Sequence, residues 1–227
     1  MAVIAIIGAS RGIGLELAKQ HSQAGDQVLA FCRSPEKADK LNALAASSGG
    51  KVSVQSIDVR SDASVRAAAA SGKEKIDILY TVAGVLGTVT PELETTDWDV
   101  FDDTLDVMLK GPLRVLQGFL PRLERGSKVI NFSSQLAAST WPYGGLYAYG
   151  AAKAGLGRMM RSAAMDLKDR GIIVGILHPG YVQTDMGGPS ADITPQESAT
   201  GIRKVAAEWT LERSGDFYKW NGEPHPW

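Results

Sequence analysis

The sequence predicts a single α/β domain over residues 1–227, with a doubly wound, mostly parallel sheet of about seven strands and helices on both faces. Three observations predict it. Apolar runs of strand character alternate with helical patterns along the chain. Most of those runs are continuous rather than alternating, as in strands covered on both faces. A glycine-rich turn joins the first run to the first helical pattern.

In order, Val3–Ile7 is the first strand, and a helix is expected over Ile13–Ala24 behind the turn "GASRGIG". Val28–Cys32 follows, then a helix over Glu36–Ala46, a strand over Val52–Ile57, and a helix over Asp62–Ser71 built on the good helix formers Ala67–Ala70. Ile76–Val82 is the fourth strand, and one long helix is expected over Asp97–Leu123. Lys128–Ser133, a helix over Tyr149–Arg170, the strand Ile172–Leu177 and a helix over Pro195–Leu211 complete the alternation, with a short seventh strand at Asp216–Tyr218. There is no Pro- or Ser-rich linker and no solenoid repeat to divide the chain.

The bulk properties narrow the function. With 24 basic and 25 acidic residues the formal net charge is −1, which gives no general attraction to nucleic acid or an anionic membrane. Cys32 is the only cysteine, so no intrachain disulfide is expected. No apolar run approaches the ~18 residues of a membrane helix, and the first residues lack the basic start of a signal peptide. A soluble, cytoplasmic protein is expected.

Gly8, Gly12 and Gly14 allow close backbone approach, and the helix behind them offers free N–H groups and a partial positive charge to a phosphate. Their spacing is G-x-x-x-G-x-G. Gly8-Ala9-Ser10-Arg11-Gly12 also fits G-x-S-x-G, the elbow that presents a nucleophilic serine in hydrolases. That reading needs a later acid and a histidine. His21 falls in a helix pattern and His225 in the tail, so His178 is its only partner. The phosphate-loop reading gains from the second strand, which ends in Cys32-Arg33. An acid there would hold a ribose 2′-hydroxyl, whereas an arginine suits a 2′-phosphate. With Arg11 in the loop, this favours NADP(H) over NAD(H).

Tyr149 and Lys153 lie four apart, on one face of an expected helix. A nearby ammonium stabilises phenolate and lowers the phenol pKa, so such a tyrosine can serve as general acid to a carbonyl or base to an alcohol. The strand ending in Ser133-Ser134 could supply a hydrogen bond to the same oxygen.

These ordered motifs resemble the short-chain dehydrogenase/reductase family over nearly the whole chain, and with it the Rossmann fold. Gly8-x-x-x-Gly12-Ile13-Gly14 is similar to the family's cofactor loop, in which the Ser10 hydroxyl would touch phosphate or ribose. Asp58-Val59 resembles the acidic segment near the adenine, Ala83-Gly84 the end of N-N-A-G, and Pro179-Gly180-Tyr181-Val182-Gln183-Thr184 the P-G-x-V-x-T segment beside the nicotinamide carboxamide. The resemblance implies Tyr149 as acid/base, Lys153 on the nicotinamide ribose, and Ser134 positioning the carbonyl, with Ser133 as the alternative serine. "HPGYVQTDMGGPSADIT", "GGLYAYGAAKAGL" and "GDFYKWNGEPHPW" resemble more narrowly the C-factor-like and Sniffer-like carbonyl reductase branch.

The chain also departs from the family pattern. Ile7 stands where threonine is usual, and N-N-A-G reads Thr81-Val82-Ala83-Gly84, as if one polar contact had become apolar. The active-site asparagine of D-V-N-L-x-G is replaced by Met108, which offers no amide. Ser134 to Tyr149 spans 15 residues, about two more than the family commonly has.

Trp141, Tyr143 and Tyr147 are readable either as a pocket wall or as packing of that loop, and Met159-Met160 either as core or as a subunit contact. His178 reads as structural, no metal ligand set is expected, and Gly187-Gly188-Pro189 suggests a loop able to close on substrate. The tail "WNGEPHPW" is expected to cover the sheet edge or the pocket. The leading expectation is NAD(P)(H)-dependent reduction of a small carbonyl, or the reverse alcohol oxidation, by a monomer or homodimer. The alternative is a cofactor-binding regulatory or signalling protein with weak turnover, which Met108 favours.

Overall fold

The computed structural model describes residues 1–87, 93 and 95–227. Seven strands form one sheet in the order β3-β2-β1-β4-β5-β6-β7: β1 Val3–Ile7, β2 Gln27–Cys32, β3 Val52–Ser56, β4 Ile78–Thr81, β5 Lys128–Phe132, β6 Ile173–His178 and β7 Phe217–Lys219. Every neighbouring pair is parallel. The helices are α1 Gly12–Gln23, α2 Asp39–Ser47, α3 Asp62–Ala70, α4 Trp98–Leu105, α5 Gly111–Phe119, α6 Tyr147–Asp166 and α7 Pro195–Glu208.

The continuous apolar runs follow from cover on both faces. Ile4, Ile6, Val28, Ala30, Tyr80 and Ile130 pack against α1, α2 and α7 residues such as Leu17, Leu41 and Ile202. Their neighbours Ala5, Ile7, Leu29, Phe31, Leu79 and Val129 point the other way, onto Val65, Phe119, Leu156 and Met160 of α3, α5 and α6. Met160 is therefore core. The order reverses between β1 and β4, because the chain winds outward to β3 and returns beside β1. Carboxyl ends at such a switch point leave a crevice. Thr81 of β4 sits opposite Ile7 of β1, so the segments after both strands emerge side by side.

The expected helix over Asp97–Leu123 is interrupted. Asp106–Lys110 forms a π turn in which Gly111 N–H bonds the Asp106 carbonyl, five residues back, and a 3-10 turn, Leu120–Arg122, ends the run. Pro112 explains the break, since it has no N–H to give the Met108 carbonyl and its ring would strike that oxygen in a regular helix. Helix α6 begins at Tyr147, two residues before the expected start, because Gly145 (φ +82°) and Leu146 (φ +50°) are left-handed and turn the chain into it. It ends at Asp166, short of Arg170. Helix α7 starts at Pro195 as expected. Thr194 and Glu197 form a capping box there, and the helix stops at Glu208. No helix among the described residues is long and apolar enough to cross a membrane.

Candidate active site

A cleft of about 1350 Å³, counted out to solvent, runs along the carboxyl ends of β1, β2, β4 and β5. Gly8, Ser10, Arg11, Gly12 and Ile13 line its middle, and Arg33, Asp58 and Val59 one end. Ala83, Gly84, Tyr149, Lys153, Pro179 and Thr184 line the other. Gly14 and Gly180 support the walls instead: a Cβ on Gly14 would stand 2.1 Å from the Gly8 carbonyl, and one on Gly180 2.5 Å from Ile193. Val182 is buried and bridges Ile193.

The turn leaves room for a phosphate. A Cβ on Gly8 (φ +97°) would come within 2.7 Å of the Ala83 nitrogen, so only glycine keeps this wall back. At the start of α1, Arg11 occupies the N-cap and its side chain makes no capping hydrogen bond to the helix, and no acid stands in the first turn. Its leading N–H groups thus face the cleft without a capping group, as an anion site needs. Among the described residues no histidine partners Ser10 as a hydrolase elbow would require. Nδ1 of His178 accepts instead from Gln135 N–H at 3.3 Å.

At the β2 end, Arg33 is exposed and has no carboxylate partner among the described residues. Asp58 is gripped by Arg60, which donates from Nε at 3.1 Å and from Nη2 at 2.9 Å. Arg60 reaches Asp103 as well, at 2.8 Å. The Arg60 hydrogen bonds hold the Asp58 carboxyl below the usual range despite its burial, and the Arg33 charge adds to this. Arg60 was not anticipated from sequence, although its place two residues after Asp58 is the available signal. Asp185, also unanticipated, pairs with Arg11 at 2.8 Å across the cleft mouth.

At the β5 end the serines divide their work. Ser133 donates to the Lys153 carbonyl at 3.1 Å and ties α6 to the sheet. Ser134 hydrogen-bonds the Tyr149 phenol and accepts from Leu136 N–H at 3.2 Å, so it is the serine that shares the phenol's surroundings. The buried Lys153 ammonium donates to the Phe132 carbonyl at 2.7 Å and lies 5.7 Å from the Tyr149 ring centroid.

The charge balance differs from the sequence expectation. Burial pushes the Tyr149 phenol up, and the Ser134 hydrogen bond offsets only part of this. Lys153 is itself pushed down to about 8 by burial, and the phenol stands above its ordinary value rather than below it as expected. The polar-to-apolar swap inferred at Ile7 is also corrected: Ile7 joins the α5/α6 core, Val82 packs on the opposite face, and Thr81 keeps a polar contact by donating to Asn131 Oδ1 at 2.9 Å. Met108 is wholly buried beside Gly84. Trp141 and Tyr143 stack edge to face at 5.3 Å and do not line the cleft, and Tyr143 is 71% exposed.

Comparison with known proteins agrees with this geometry. The family model for short chain dehydrogenases matches residues 2–193. C-signal of Myxococcus xanthus is 38% identical over 157 residues, covering 67% of this chain and 93% of its own. Among solved structures, the carbonyl reductase Sniffer of D. melanogaster superposes with a TM-score of 0.92 at 27% identity, covering 100% of both chains. The NADPH-bound carbonyl reductase from chicken fatty liver does so at 0.91 and 30% identity, covering 100% of this chain and 99% of its own. The chain belongs to the short-chain dehydrogenase family of oxidoreductases, in the branch that holds C-signal and the Sniffer-like carbonyl reductases.

Proposed function

We propose that residues 1–227 act as one domain that reduces a small carbonyl with NADPH, or oxidises the corresponding alcohol. The N–H groups at the start of α1, with Gly8, Ser10, Gly12, Ile13 and Gly14, would hold the pyrophosphate. Arg33 and Arg11 would take a 2′-phosphate, and Asp58 and Val59 would border the adenine. Ala83, Gly84, Pro179, Gly180, Val182 and Thr184 would enclose the nicotinamide half. Lys153 has donors left for ribose hydroxyls beyond its one bond to Phe132. The bound dinucleotide supplies the hydride.

The observation that carries the reading is that Tyr149 and Lys153 line one end of a cleft whose middle is an uncapped glycine turn, with Ser134 hydrogen-bonded to the phenol. Ser134 and Tyr149 together offer two hydrogen bonds to one carbonyl oxygen and stabilise the charge that gathers there. The raised phenol pKa keeps Tyr149 protonated at neutral pH, which suits an acid in the reductive direction. The single buried thiol, Cys32, fits a reducing, cytoplasmic setting.

The test is titration with NADPH and NADH, then loss of nicotinamide absorbance with a panel of carbonyls. Tyr149→Phe is expected to lower turnover by about 10²-fold or more with cofactor affinity unchanged. Arg33→Ala is expected to weaken NADPH about tenfold and leave NADH alone, the equivalent of about 1.4 kcal/mol from one charge-assisted contact. Full turnover in Tyr149→Phe would defeat the reading. The buried Met108 favours a second reading, a cofactor-binding regulator with weak turnover. It predicts binding without reduction, and reduction gained in Met108→Asn.

A further inference from the structure

The segment 135–146, between Ser134 and α6, holds one 3-10 turn, Gln135–Ala137, and then no regular structure. Most of its hydrogen bonds stay local. Among the described residues, those that tie residues 135–145 to distant parts of the chain go to two places: Gln135 N–H to His178 Nδ1 at 3.3 Å, and Ser139, through both its N–H and its hydroxyl, to the Trp227 main-chain oxygen at 3.1 Å each.

Both anchors belong to the tail or lie beneath it. After β7 the chain reverses, with Lys219 N–H bonding the Glu223 carbonyl at 2.8 Å and His225 N–H returning to Phe217 at 2.8 Å. The His225 ring then stands 5.4 Å from His178 and 4.5 Å from Phe217. The Trp227 ring lies 5.7 Å from Phe217 and 5.7 Å from the Arg161 guanidinium. It also fills the space over Gly157 of α6, where a Cβ would come within 3.0 Å of Cζ3. Trp227 is 45% exposed, but one side of its ring rests on β7 and α6, and its main chain holds Ser139.

We propose that the tail positions the substrate side of the site: Trp227, acting through Ser139, and His225, acting through His178 and Gln135, brace the loop that leads from Ser134 to α6. Trp227 and Ser139 are positioning residues, not catalytic ones. An irregular twelve-residue loop would otherwise sample many conformations, and each bond to a fixed partner removes some of them. The loop runs from Ser134 to the start of α6, which carries Tyr149, so its freedom sets how well the two groups that would seat a carbonyl are held together. It does not touch the phosphate cradle. The catalytic part of this inference rests on the reductase reading. The bracing itself does not.

Hydrogen exchange and kinetics on the full chain test it, with wild type, Trp227→Ala, Ser139→Ala and Ser139→Thr. In Trp227→Ala, exchange over 136–146 is expected to rise at least tenfold while β1, β4 and β5 stay protected. The carbonyl KM should rise at least fivefold, with kcat and the NADPH Kd within twofold. Ser139→Ala should follow more weakly, and Ser139→Thr, which keeps the hydroxyl, should restore wild-type behaviour. Unchanged exchange over 136–146 in Trp227→Ala overturns the bracing. An equal fall of kcat and NADPH affinity, tracking a lower Tm, overturns the positioning role. If wild type turns over no carbonyl, the reductase reading fails, and the exchange arm still decides the bracing.

Discussion

At the scale of single residues, the phosphate turn depends on missing atoms. A Cβ at Gly14 would meet the Gly8 carbonyl at 2.1 Å, and a backbone oxygen cannot swing aside. Gly14→Ala is therefore expected to destabilise by about 2 kcal/mol as an overpacked site, lowering Tm by roughly 5 °C and weakening NADPH at least tenfold. Gly144→Ala, with open space around it, should leave both unchanged. Calorimetric titration and thermal melts on the pair check this; equal behaviour would mean that α1 shifts without harm. The importance of Gly14 was legible because glycine has few reasons to recur before a helix. Tyr149 and Lys153 were legible as candidates from their spacing taken with their place after Ser133-Ser134 in a chain that opens with a glycine loop. Their protonation was not, because desolvation depends on what lies above them, and burial moves the phenol and the ammonium in opposite directions. That Ser134 bonds the phenol while Ser133 bonds the Lys153 carbonyl was hidden for the same reason, since adjacent residues at a strand end differ only in which face they meet.

At the scale of elements, strands were easier to read than helices. Runs buried on both faces announce themselves by composition, and all seven lie within two residues of their expected ends. The exception among helices is instructive. Amphipathic spacing carries on through Asp97–Leu123, yet Pro112 forces the ladder open and a π turn delivers Val107 and Met108 to the cleft. The proline was visible in the sequence, but its consequence, a five-residue hydrogen bond rather than a kink, required the neighbouring packing. Pro112→Ala restores the missing donor, so Tm should hold or rise, while Val107 and Met108 rotate away from the cleft. Carbonyl turnover is expected to fall at least fivefold, measured at saturating NADPH. Unchanged turnover would show that the π turn is set by the packing around it and not by the proline.

At the scale of the whole molecule, the parts illegible in sequence are those joined by distant contacts: α7 and the tail returning to β6, and the loop resting on the tail. His178 stands where they meet. Burial, with the His225 ring and the Lys219 charge beside it, pushes its pKa down to about 3, and burial lowers His21 as well. Asp26 and Asp58 are also held below their usual range, by His21 and Arg60 against the opposing effect of burial. The sign is common to all four. An unfolded histidine binds a proton below about 6.5, whereas the folded one stays neutral. Stability from His178 is thus fully present above that pH and lost as pH falls towards 3, at about 1.4 kcal/mol per pH unit. The aspartates add a loss at lower pH. Between pH 6.5 and 4.5 His178 alone should therefore lower Tm by roughly 5–10 °C. His178→Asn offers an oxygen where Nδ1 accepts from Gln135, but it has no proton to gain. Its melting curve is expected to sit near that of wild type at pH 5 and to fall less steeply with acid. Parallel slopes for the two proteins would place the acid sensitivity elsewhere, with His21 in the last turn of α1 and Asp26 just before β2 the next groups to substitute.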